Sequence, residues 1–106
     1  GAKNAASART NLGITATSLY NGTLTSGSIT FNYGNYNFYV IIGRPSSSAS
    51  RTSLVVPRIM LTTSAVAFQI ADESNYKSFN LSYSGSLVTL AMGNGAGQIN
   101  RVFGVN

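Results

Sequence analysis

From Thr15 onward, apolar and polar residues follow one another with a period of two. Ile29 and Phe31 alternate with Ser28 and Thr30, Val66, Phe68 and Ile70 with Ala65, Ala67 and Gln69, and Phe79, Leu81 and Tyr83 with Ser78, Asn80, Ser82 and Ser84. Successive side chains of a strand point to opposite faces, so each run predicts a strand with one dry face and one face of hydroxyls or amides. Phe38 to Ile42 is apolar at every position, which for a strand predicts cover on both sides. In so short a chain a partner subunit is a natural source of the second cover.

Turn signals separate these runs: Asn21-Gly22, Ser26-Gly27, Gly34-Asn35, Arg44-Pro45 with the serines after it, Thr62 to Ser64, Glu73 to Asn75, Ser84-Gly85 and Gly93 to Gly97. Pro57 interrupts Leu54 to Leu61 and has no N–H for a sheet ladder, so that strand is expected at an edge or bulged. Strands recurring about every 8 to 12 residues predict an all-β fold, an antiparallel β-sandwich of jelly-roll type. If each strand crosses the sandwich once, the connections alternate between its ends. Loops 44–51, 72–77 and 93–97 then gather at one end, and 32–35, 62–64 and 84–86 at the other. The first set is longer and is the expected binding end.

The opening residues read differently. Ala2, Ala5, Ala6 and Ala8 with Lys3 and Arg9 favour helix, and Gly13 stands where a C-terminal cap would fall. A helix this short is marginal alone, so its small alanine faces are expected to pack against copies of themselves. The division expected is a trimerising leader over 1–14 and a sandwich over 15–106.

Composition narrows the chemistry. The chain has 106 residues, seven Lys or Arg against two acids, a formal charge of +5, and neither Cys nor His. One domain fits that length. Only 8% of residues are charged against a usual value of about 25%, so neutral Ser, Thr and Asn must keep the surface wet, as suits an exported or assembled particle. No apolar run approaches the roughly 20 residues that span a bilayer, and no signal-peptide core opens the chain, so a soluble chain without membrane insertion is expected. The only acids, Asp72 and Glu73, are adjacent. In extended chain they point to opposite faces, a poor pair for glycoside hydrolysis, and a catalytic triad or zinc site lacks its residues. The expectation is no enzyme, no cofactor and no metal.

Ala5-Ala6-Ser7-Ala8-Arg9-Thr10-Asn11-Leu12-Gly13-Ile14 resembles the Ala-rich "A-R-T-N-L-G-(L/I)" element of tail fibre proteins of tailed bacteriophages, commonly found just before the terminal domain. The stretches Leu19 to Phe31, Tyr36 to Ile42 and Ile99 to Gly104 resemble the opening, middle and close of the β-rich tip domain of many such fibres. The resemblance implies a parallel homotrimer at the distal tip of a virion's tail fibre, outside the cell, whose end recognises lipopolysaccharide sugars or an outer membrane protein without catalysis. Trimerisation would also give a reason for the low charge, the doubly apolar strand and the alanine leader.

Positive charge biases encounter with an anionic surface. Sugars are held by aromatic faces together with amides, hydroxyls and guanidiniums, and planar Arg suits carboxylate or phosphate. At the expected binding end these groups are Arg44, Ser47 and Arg51 across the serine loop, Asn75, Tyr76 and Lys77, and Asn94 in the glycine loop. Tyr33 and Tyr36 offer a second set at the opposite end. Gly93 to Gly97 precedes a strand instead of the helix that a phosphate-binding loop needs, so it reads as a flexible connection. Two rivals stand beside receptor binding: a capping module that only registers the trimer, and a nucleic-acid-binding β domain. The second is disfavoured because the cations are spread along the chain.

Overall fold

The computed structural model describes residues 15–106. The expected helical leader over 1–14 lies outside the described residues. Residues 15–106 form an all-β unit with one short 3-10 turn at Arg58–Met60. In chain order the strands are β1 (Ala16–Leu24), β2 (Ser28–Asn32), β3 (Phe38–Arg44), β4 (Thr52–Pro57), β5 (Val66–Ala71), β6 (Tyr76–Ser84), β7 (Leu87–Gly95) and β8 (Gln98–Val105). They form two four-stranded antiparallel sheets, ordered β1-β8-β3-β4 and β2-β7-β6-β5. The chain passes between sheets at β1–β2, β2–β3, β4–β5 and β7–β8, while β3–β4 and β5–β6–β7 are hairpins within a sheet.

The alternating runs supply the core shared by the two sheets. Tyr39, Ile41, Val56, Ile99 and Val102 come from the first sheet and Phe31, Ile70, Phe79, Leu81, Val88 and Leu90 from the second, all buried in one apolar cluster. Each such aliphatic or aromatic side chain contributes about 1.5–3 kcal/mol on full burial. Tyr39 brings a hydroxyl into this core, and that hydroxyl donates to the carbonyl oxygen of Tyr33. Burial pushes its pKa up to about 12, against the opposing pull of Arg58.

The two outward faces differ in kind. On the second sheet, register aligns Ser82 with Thr89 and Thr89 with Thr30, and Asn80 with Ala91 and Ala91 with Ser28, a mostly hydroxyl and amide surface. On the first sheet, one row runs Ser18, Phe103, Val40, Val55 and the next Ala16, Val105, Phe38, Pro57. This outer side of β3 does not carry the cover expected of a doubly apolar strand. Tyr39 and Ile41 are fully buried, whereas Phe38, Val40 and Ile42 are only half-buried by their neighbours in the sheet. Val55 stays 56% exposed.

Pro57 closes β4, an edge strand. Two turn signals resolve differently. Asn21-Gly22 lies inside β1, where the pairing with β8 shifts between Asn21 and Leu24; the glycine serves a bulge instead of a reversal. Gly93 to Gly97 is the tight corner where the chain passes from β7 in one sheet to β8 in the other, with Gly95 at φ +113° and the Gly97 N–H donating to the Tyr76 carbonyl at 3.2 Å.

Candidate functional site at one end of the two sheets

Strand direction gathers the loops between β3 and β4, β5 and β6, and β7 and β8 at one end, together with the short β1–β2 turn. Gly97 is their meeting point. Its amide bonds to Tyr76, and the space a Cβ would take there is already filled by the carbonyls of Arg44 and Pro45 and by Lys77 Cβ. Thr15 and Asn106 lie together at the opposite end, where the Asn106 N–H donates to the Thr15 carbonyl at 3.0 Å. The polypeptide before Thr15 therefore joins the domain at the end away from these loops.

On the β5–β6 side, Asp72 organises the turn. Its Oδ1 accepts the N–H groups of Ser74 at 2.9 Å and Asn75 at 2.7 Å, and these backbone bonds, Asn75 first, hold its carboxyl below the usual aspartate range. The turn presents Asn75 exposed and starts β6 at Tyr76, 42% exposed. Asn94 is exposed alongside, its backbone bonded in both directions to the Ser78 hydroxyl. Lys77 departs from expectation. It follows Tyr76 on the same strand and so points to the other face, in phase with Phe79 and Leu81. It is buried, and its Nζ donates to the Gly95 carbonyl at 3.2 Å, so its charge props the loop corner from within and is not presented at the surface.

Across the end, Arg44 closes β3 on the outward face and donates to the Ser47 carbonyl at 3.3 Å. Ser47 and Arg51 are exposed. Arg51 does not join the Tyr76 group. It lines a groove of about 580 Å³ on the outer face of the first sheet with Ile42, Thr52, Ser53, Arg101 and Phe103. The guanidinium of Arg101 lies 4.5 Å above the centre of the Phe103 ring and reaches the Ser18 hydroxyl at 3.4 Å. The Nε atoms of both Arg44 and Arg101 are buried without a hydrogen-bond partner. Arg101 was not among the residues expected to bind. Alternation along the last strand shows only that Arg101 and Phe103 share the side opposite the buried Val102 and Gly104; that this side meets Arg51 depends on the pairing of β8 with β3 and of β3 with β4.

The second set of tyrosines is occupied. Tyr33 carries the Arg58 guanidinium 4.0 Å above one face and stacks on Tyr83 at 4.7 Å. Tyr36 meets Tyr39 edge-on at 5.9 Å and lies over Gly104. Neither ring leaves a clear face for a sugar, although a groove of about 420 Å³ lined by Tyr33, Asn37, Pro57, Arg58, Ile59 and Leu61 does open there.

Compared with protein-family models, curated proteins and solved structures, the chain matches none.

Proposed function

We propose that this domain is the non-catalytic, receptor-binding tip of a bacteriophage tail fibre, a homotrimer on the virion that attaches to lipopolysaccharide sugars or an outer membrane protein of a bacterium. The observation that carries the reading is polarity. The chain enters at the Thr15 end, while the opposite end holds the converging loops with Ser47, Arg51, Asn75, Tyr76 and Asn94. A domain held on a shaft at one end and bearing amides, a phenol and guanidiniums at the other is suited to touching a surface.

The apolar outer face of the first sheet supports self-association. Phe38, Val40, Val55 and Pro57 facing water towards the Thr15 end of the first sheet, beside a second sheet faced with Ser, Thr and Asn, make that part of the first face the one to be covered by protein, with the row of Arg101, Ile42 and Ser53 towards the loops left open. Linking three weak sites also multiplies adhesion where they engage together. Fluorescently labelled domain added to bacterial strains with intact and truncated outer polysaccharide, or lacking single porins, tests the reading. The expected result is saturable binding that one of these deletions removes and that Arg44→Ala with Arg51→Ala weakens. Binding to every strain alike, or to none, would favour a capping module.

A further inference from the structure

Of the five cations in the described residues, three lie at one margin of the first sheet: Arg44, Arg51 and Arg101. Register places them. Ile42 pairs with Arg101 on one side and Ser53 on the other, Arg44 follows Ile42 by two positions on the same face, and Arg51 precedes Ser53 by two. With strands about 4.8 Å apart and paired positions on one face about 6.8 Å apart along a strand, Arg51 and Arg101 line one groove and Arg44 stands on the same face one step beyond Ile42. Like charges so close repel, and the only acids, Asp72 and Glu73, are on the β5–β6 turn, where the Asp72 carboxylate is engaged by Ser74 and Asn75. Two of the three arginines also hold buried Nε–H groups with no acceptor. A charge cluster without a counter-ion, whose hydrogen bonds to the Ser47 carbonyl and the Ser18 hydroxyl reach only neutral acceptors, is arranged for an anion from outside.

The groove's other residues say which anion. Ile42 and Phe103 give it an apolar floor, and Thr52 and Ser53 add hydroxyls. A nucleic acid would need an aromatic face on which to stack bases, and the Phe103 face is covered by Arg101. An extended peptide would add alongside a free strand edge; the free edge beside the groove is that of β4, whereas Ile42, Arg101 and Phe103 lie on the face of β3 and β8, which are paired on both sides. We propose that this groove binds the carboxylate or phosphate of an acidic sugar, with Arg51 and Arg101 clamping the anion, Arg44 adding to the field, and Thr52 and Ser53 meeting the sugar hydroxyls. This rests on the receptor-binding reading for its biological setting and names the class of sugar.

Isotope-labelled protein titrated with glucuronic acid, glucose 6-phosphate, glucose and inorganic phosphate, followed by NMR of backbone amides and arginine Nε–H groups, tests it. The expected result is saturating shifts at Arg51, Ser53, Arg101 and Phe103 with one or both acidic sugars, none with glucose, and weaker shifts with phosphate alone. The tighter of the two acids distinguishes carboxylate from phosphate. Arg101→Gln should raise Kd about tenfold or more, the scale of one charge-assisted hydrogen bond. Arg51→Gln, at an exposed position, serves the same purpose should the first variant fold poorly. Equal response to glucose, inorganic phosphate binding as tightly as glucose 6-phosphate, or a single-stranded DNA oligonucleotide binding these residues more tightly than either sugar would overturn the proposal. Shifts confined to Tyr76 and Asn94 would overturn it while leaving receptor binding intact. Acidic-sugar binding at the groove without attachment to any cell would leave the groove and remove the receptor reading.

Discussion

Replacing Gly97 with Ala tests whether the loop end is one packed unit. A Cβ built there would overlap the Arg44 carbonyl oxygen and lie 2.8 Å from Lys77 Cβ and 2.9 Å from the Pro45 carbonyl oxygen. Two of these neighbours are backbone atoms at the end of β3 and the first residue after it, and the third leaves the backbone of β6, so none can turn aside as a side-chain tip would. Overpacking a close-packed site costs typically 1–3 kcal/mol, and the backbone character of the contacts puts this case near 3 kcal/mol. Removing a glycine from the unfolded chain returns about 0.4–1 kcal/mol, leaving a net loss of roughly 2–3 kcal/mol. Each kcal/mol shifts Tm by about 4–8 °C in a domain this size, so the expected fall is on the order of 10–20 °C. Thermal unfolding followed by circular dichroism, at matched protein concentration because association raises Tm, measures it. Gly27→Ala is the control. Gly27 has φ +76° and open space around its Cβ position, so only the left-handed backbone cost of about 1–2 kcal/mol, less the same unfolded-state return, should appear. Equal melting of the Gly97 variant and the native chain would refute the idea that these loops lock together.

Two further predictions concern buried polar groups. Tyr39 has a folded pKa of about 12 against an ordinary 10.0, so the unfolded chain releases this proton first; its contribution to stability is complete below pH 10 and is lost between pH 10 and 12. The loss is at most about 2–3 kcal/mol, and less to the extent that solvent screens the hydroxyl. A tyrosinate absorbance titration should show one late-ionising tyrosine that Tyr39→Phe removes; disappearance of a different step would contradict it. Lys77→Met should leave surface binding unchanged while altering Tm, whereas Tyr76→Ala should weaken binding with little change in Tm. The reverse pattern in a cell-binding assay and a melt would mean the two side chains were assigned to the wrong faces.

Period-two alternation was a reliable guide wherever one face of a strand meets the core. Ile29 and Phe31, Val66 to Ile70 and Phe79 to Tyr83 all turn inward as their spacing implies. Glycine was the weaker sign, because its freedom serves a bulge at Gly22 and a close approach at Gly97 as readily as a turn. Proximity along the chain also misled at Lys77, which strand alternation turns away from its neighbour Tyr76. The cluster of Arg44, Arg51 and Arg101 depends on β8 lying between β1 and β3, a non-local pairing that nothing within a single strand encodes. Arg101 consequently looked like one more scattered cation. The apolarity of Phe38 to Ile42 was plain in the chain, but its outer half is left uncovered within one subunit.

That uncovered face makes mass in solution the most direct measurement. Light scattering on the eluting peak of the whole 106-residue chain should give three times the 11.1 kDa of one subunit, and Val55→Lys, which places a charge in the exposed apolar row without touching the core, should reduce it to a single folded subunit. A native chain that stays at 11.1 kDa at micromolar concentration and above, with Val55→Lys behaving identically, would contradict the claim that copies of this chain cover the apolar rows around Phe38, Val40 and Val55.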